Sequence, residues 1–106
     1  LEVTVRILSL NKFQAVVLTK EIEGATYREH SSKEDCYVGY IPLKDSTQHD
    51  ILNFIERQKI DMKDTDIFLS VASENYTETL DVPKQVNSML KLADFKMKMS
   101  YTCLPD

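Results

Sequence analysis

The sequence predicts an α+β fold, a two-layer sandwich of about four strands in a mixed or antiparallel sheet with about three helices mainly on one face. Three observations lead there. Segments of strand and helix pattern alternate along the chain, in the order strand, helix, strand, helix, strand, helix, strand. The first and last strands each carry one polar face, whereas a parallel sheet covered on both sides reads as continuous apolar runs. Finally, 106 residues with 42% hydrophobic and 28% charged content are enough for one core, so residues 1–106 read as a single domain.

Val3-Thr4-Val5-Arg6-Ile7-Leu8 alternates with period two and is rich in β-branched residues, which predicts a strand with Val3, Val5 and Ile7 inward. Asn11 followed three residues later by Gln14 is capping-box spacing, and predicts a helix from about Lys12 to Glu23 that stops at Gly24. Val16-Val17-Leu18 also has strand propensity, so a hairpin competes with that helix. Ala25 to Asp35 is polar and charged and reads as an exposed loop, the longest irregular stretch.

Cys36 to Ile41 reads as a strand that Pro42 closes or places at an edge. Asp45-Ser46-Thr47-Gln48 offers cap candidates at a second capping-box spacing, before an amphipathic helix carrying Ile51, Leu52 and Ile55. Asp61 to Asp66 is an acidic connection, and Ile67 to Ala72 a strand with Ile67, Leu69 and Val71 on one face. Asp81 is the expected cap of a third helix, with Pro83 in its first turn and Val86, Met89, Leu90 and Ala93 as its stripe. In the last strand Met97, Met99, Tyr101 and Cys103 alternate with Lys96, Lys98, Ser100 and Thr102, which predicts one buried and one wet face. The expected core is Ile7, Ile51, Leu52, Ile55, Leu69, Val71, Val86, Leu90 and Met99.

Composition excludes several classes. Gly 2 and Pro 3 argue against a linker-like or collagen-like chain, and there are no internal repeats. No apolar run approaches the roughly 20 residues that cross a bilayer, so no membrane partner is expected. The chain shows no leader, although Leu1 is not a Met and the natural start can lie upstream. Thirteen Lys and Arg against 17 Asp and Glu give a net charge of −4, with the basic residues scattered. That argues against nucleic acid, whose phosphates need a clustered basic surface, and suits a basic partner.

Few residues could carry chemistry. Two cysteines cannot make a disulfide framework, and Cys36 and Cys103 read as reduced thiols, with one bridge conceivable if their strands are neighbours. His49 and Asp50 are adjacent on a helix and point apart, so they make no base and orienter. Gly24 and Gly39 are too far apart for a phosphate loop. Asp61, Asp64 and Asp66 lack the glycine and closing Glu of a calcium loop and read as turn residues. Asn75-Tyr76-Thr77 matches a glycosylation sequon, a short pattern frequent by chance. No enzyme activity, metal or cofactor is expected.

A binding surface remains. Glu29, Glu34 and Asp35 in one polar loop, and Glu74 and Glu78 in another, are read as a carboxylate-rich surface with Tyr27 and Tyr76 as anchors. The C-terminal half joins a helix ending Ile55-Glu56-Arg57-Gln58, a strand from Asp66 to Glu74, a helix from Val82 to Leu92 and a final alternating strand. That half resembles small bacterial immunity-type proteins, which neutralise a toxin secreted or delivered by cell contact. The resemblance implies a cytoplasmic, non-enzymatic inhibitor, acidic because many such toxins are basic nucleases. It carries over no site residues. The alternative is a small regulatory or assembly subunit, possibly homodimeric, whose open sheet face pairs with itself or with a larger chain.

Overall fold

The computed structural model describes residues 1–75 and 79–104. Its strands are β1 (Glu2–Leu10), β2 (Thr26–Glu29), β3 (Tyr37–Pro42), β4 (Thr65–Ser73) and β5 (Lys96–Cys103); its helices are α1 (Lys12–Glu21), α2 (Gln48–Arg57) and α3 (Lys84–Leu92). One mixed sheet runs in the order β2-β3-β1-β4-β5. Every pairing is antiparallel except that between β4 and β5, which is parallel and joined through α3. The first six elements make the split βαβ-βαβ arrangement of ferredoxin-like sheets, with α3 and β5 added at one edge.

The predicted α+β sandwich is therefore what the chain forms, with five strands rather than four. The extra strand is β2, within the stretch expected to be a loop. Thr26, Tyr27, Arg28 and Glu29 pair with Tyr40, Gly39, Val38 and Tyr37, and four residues with two charges gave too little periodicity to read as a strand.

Local chemistry explains the helices. At α1 both halves of the capping box form: Asn11 Oδ1 accepts from the Gln14 N–H at 2.8 Å, and Gln14 Oε1 accepts from the Asn11 N–H at 3.0 Å. The competing hairpin is excluded. The helix ends at Glu21, and Gly24 takes φ 79° in the turn closed by the Ala25 N–H to Ile22 C=O bond. The second expected capping box does not form. Thr47 Oγ1 instead donates to the Pro42 C=O at 2.9 Å and accepts from the Lys44 N–H at 2.9 Å, tying down the turn before α2. At the far end of α2, Lys59 has φ 54°, and the bonds from Ile60 N–H to Ile55 C=O and from Lys59 N–H to Glu56 C=O close a Schellman motif. Asp81 does not cap α3; Pro83 occupies that position with φ −56°.

The helices cover one face of the sheet. Val5, Ile7, Ile41, Ile67 and Leu69 meet Ala15, Leu18, Ile51, Phe54, Ile55, Val86 and Met89 in one cluster. A bulge between Ile7 and Leu10 adds a residue to β1, so both turn inward where strict alternation would separate them. Gly39 lies where α1 crosses β3: a Cβ there would stand 2.5 Å from Leu18 Cδ2.

Ile7, Ile51, Ile55, Leu69, Val71 and Val86 are buried as expected, and Leu52 is half-buried. Leu90 and Met99 are not core residues. The inward face of α3 is Val86 and Met89, which leaves Leu90 on the rim at 37% exposure. Met97, Met99, Tyr101 and Cys103 do share the helix-side face, because they stand beside Ile67, Leu69, Val71 and Ser73. But β5 is an edge strand that the helical layer leaves uncovered, and Met99 is 65% exposed.

Candidate functional site

The sequence-predicted binding residues fall at two corners of the sheet. Glu29 ends β2, and the exposed Glu34 and Asp35 follow in the connection to β3, where Tyr37 pairs with Leu10. Glu74 follows β4 at the other end, beyond the pairing of Ser70 with Glu2, and on the other side of β1. At roughly 3.3 Å per strand residue these corners lie some 30 Å or more apart. They do not make one surface. Tyr76 and Glu78 lie outside the described residues.

The corner at β2 and β3 is built from the backbone upward. The His30 N–H donates to the Cys36 C=O at 2.8 Å, closing the loop at its base. The His30 ring folds back so that Nδ1 accepts from the Ser32 and Lys33 N–H groups at 3.1 and 3.2 Å. Asp35, at φ 53°, makes the reversal that returns the chain to β3. Residues 29–37 thereby line a shallow cleft of about 400 Å³ whose walls are mostly polar.

Tyr27 is not a lone anchor. It is half-buried on the helix-side face of β2, edge-on to Tyr37 with ring centroids 5.8 Å apart. Lys12, in the first turn of α1, places Nζ 4.7 and 5.0 Å from the Tyr27 and Tyr37 ring centroids and donates to Tyr27 Oη at 2.9 Å. The bond to Tyr27 raises the Lys12 ammonium above its ordinary range, with smaller help from Tyr37 and Glu29. So Lys12 and Lys33 stand among Glu29, Glu34 and Asp35, and the corner is mixed in charge rather than a carboxylate field. Sequence reading missed Lys12, His30 and Tyr37 because they lie 7 to 25 residues apart, on a helix, in a loop and on a strand, with no spacing to link them.

The sheet's other face is partly open. Asp66, 1% exposed, holds Arg6 through two parallel bonds, Nε to Oδ1 at 2.8 Å and Nη2 to Oδ2 at 2.5 Å. The bond to Asp66 raises the Arg6 guanidinium further, against the opposing effect of burial. The same guanidinium stacks 4.4 Å from the Phe68 ring centroid. Both groups are thereby satisfied, which marks a structural pair. Thr4, Thr26, Arg28 and Tyr40 border a second shallow cleft on this face, of about 290 Å³.

The cysteines stay apart. Cys36 is buried beside β3, Cys103 is exposed at the end of β5, and β1 and β4 separate the two strands, so no bridge joins them. Among the described residues no three His, Cys, Asp or Glu side chains converge as a metal site, and no helix is long and apolar enough to cross a membrane. Comparison with family models, curated proteins and solved structures finds no match to this chain.

Proposed function

We propose that this chain is a non-enzymatic protein-binding domain of the immunity type, a cytoplasmic inhibitor that occupies a cognate toxin through the corner at β2 and β3. The observation that carries the reading is the His30-organised loop. Its backbone is fixed by the bonds to Cys36, Ser32 and Lys33, while Glu29, Glu34 and Asp35 remain exposed. A loop ordered before binding loses little conformational freedom on association, which is how a small inhibitor reaches high affinity from a modest surface. The exposed carboxylates suit a basic partner, and Tyr27 and Tyr37 present amphipathic rings at the loop's base.

The test is growth rescue. The chain is co-expressed with the C-terminal domain of the large secreted protein that this reading expects to be encoded beside it, and the paired variant Glu34→Lys with Asp35→Lys is tested alongside. Rescue by the parent and failure by the folded variant supports the assignment. Equal rescue by both would move the site elsewhere, and no rescue by either would remove the immunity reading.

A further inference from the structure

Eight of the ten large hydrophobic side chains found exposed among the described residues fall between Leu80 and Leu104. Three of them, Met97, Met99 and Tyr101, form a row on the helix-side face of β5, and Leu90 and Leu92 of α3 are two more. This is the larger of the sheet's two edges. The other, β2, has four residues and ends in Arg28 and Glu29, a short charged edge of the kind that resists pairing. β5 has eight residues, and among the described residues no strand lies on its outer side.

The backbone directions of β5 follow from the structure. The Leu104 N–H donates to the Ser73 C=O at 2.7 Å, and the parallel register runs unbroken from Asp66 beside Lys96 to Ser73 beside Cys103. Because backbone groups alternate sides along a strand, the even-numbered residues of β5 bond to β4. Met97, Met99, Tyr101 and Cys103 turn their N–H and C=O groups outward. The exposed apolar row and the unpaired backbone therefore belong to the same four residues.

We propose that the chain forms a two-fold symmetric dimer by antiparallel pairing of β5 with β5 of a second copy, centred on Ser100, giving a continuous ten-stranded sheet. A second copy fits because the register closes on itself. Centred on Ser100, Met97 stands opposite Cys103 and Met99 opposite Tyr101, in hydrogen-bonded pairs that use every outward backbone group in about eight bonds. The apolar rows of the two copies then meet on one face. On the other face Lys98 opposes Thr102 and Lys96 opposes Leu104. Sliding the partner by four residues stacks Lys98 on its own copy, and like charges directly opposite are unfavourable. The lysines thus disfavour that slipped register, and centring on Ser100 is the arrangement in which all four outward-facing residues of each β5 are paired. The inference stands apart from the toxin-inhibitor reading, since it involves the opposite edge of the sheet and needs no partner.

Sedimentation velocity of the full chain over a concentration series reads the association, with a species of about twice 12.2 kDa expected. Met99→Lys should weaken it tenfold or more without changing the circular dichroism spectrum, since Met99 is already largely exposed. The register is tested by cross-linking in a Cys103→Ser background. A cysteine at Ser100 faces its own copy across a non-hydrogen-bonded pair with Cα atoms about 4.5 Å apart, within disulfide reach, and oxidises to a covalent dimer. Lys98→Cys in the same background faces Thr102 and stays monomeric on denaturing gels. A chain that sediments as a monomer throughout overturns the proposal, as does cross-linking of Lys98→Cys to the same extent as Ser100→Cys.

Discussion

Arg6 and Asp66 show how a single pair can hold an otherwise polar sheet face together. Asp66 is almost wholly buried, and its charge is tolerated because both oxygens receive guanidinium bonds. Removing one partner of such a pair strands the other in a poor solvent, which costs far more than the net worth of the pair. Arg6→Ala is therefore expected to destabilise the fold by about 3–5 kcal/mol, read from urea denaturation. Replacing both residues by apolar side chains of similar size should recover most of that loss. If Arg6→Ala costs under about 1 kcal/mol, the carboxylate is not the buried charge described here.

At the scale of elements, α3 separates what periodicity can and cannot tell. Val86, Met89, Leu90 and Ala93 are all compatible with one helical stripe, but a buried face and its rim share that spacing, and only the packing decides between them. Met89 is fully buried and Leu90 is not, so Met89→Ala should cost about 2–5 kcal/mol and Leu90→Ala about 1 kcal/mol or less, as thermal or denaturant midpoints will show. The same limit governs β5, where the alternation of Met and Lys correctly separated two faces. It could not reveal that the strand lies at the sheet edge, because strand order is set by pairing between distant segments. The capping box at Asn11 was legible because it is local, and so was the fold class. The corner at His30 was not, since Lys12, Tyr27 and Tyr37 come together only through the sheet. A last element-level contact, Arg57 of α2 with Glu21 of α1, lowers the Glu21 carboxyl below its ordinary value. A depressed carboxyl contributes stability above its unfolded value and loses it as pH falls through the folded one. Both groups are exposed, so the difference between Glu21→Gln and the parent should be small at neutral pH, shrink with salt and vanish in acid. A gap that widens in acid would contradict the pairing.

For the molecule as a whole, the order β2-β3-β1-β4-β5 separates the two proposed surfaces as far as one sheet allows. The corner at β2 and β3 lies on one edge, and the pairing strand β5 is the other. A dimer closed through β5 thus carries its two corners at opposite outer ends of the ten-stranded sheet, each facing away from the two-fold axis. Two partners can then bind without touching, so each corner behaves as an independent site. The complex should have two partners per dimer by light scattering, and calorimetric titration should give a single affinity. The mixed charge at the corner also sets the electrostatics. With Lys12 and Lys33 among the carboxylates, steering comes chiefly from the net charge of −4, and association should slow only a few-fold, not by orders of magnitude, between low and physiological salt. Because Met99 is remote from the corner, Met99→Lys should yield a monomer that binds one partner with affinity within about threefold of the parent, under half of the 1.4 kcal/mol that a tenfold change represents. A tenfold or greater loss of partner affinity in that monomer would mean that the partner also uses the β5 edge, and that dimer and complex compete for one surface.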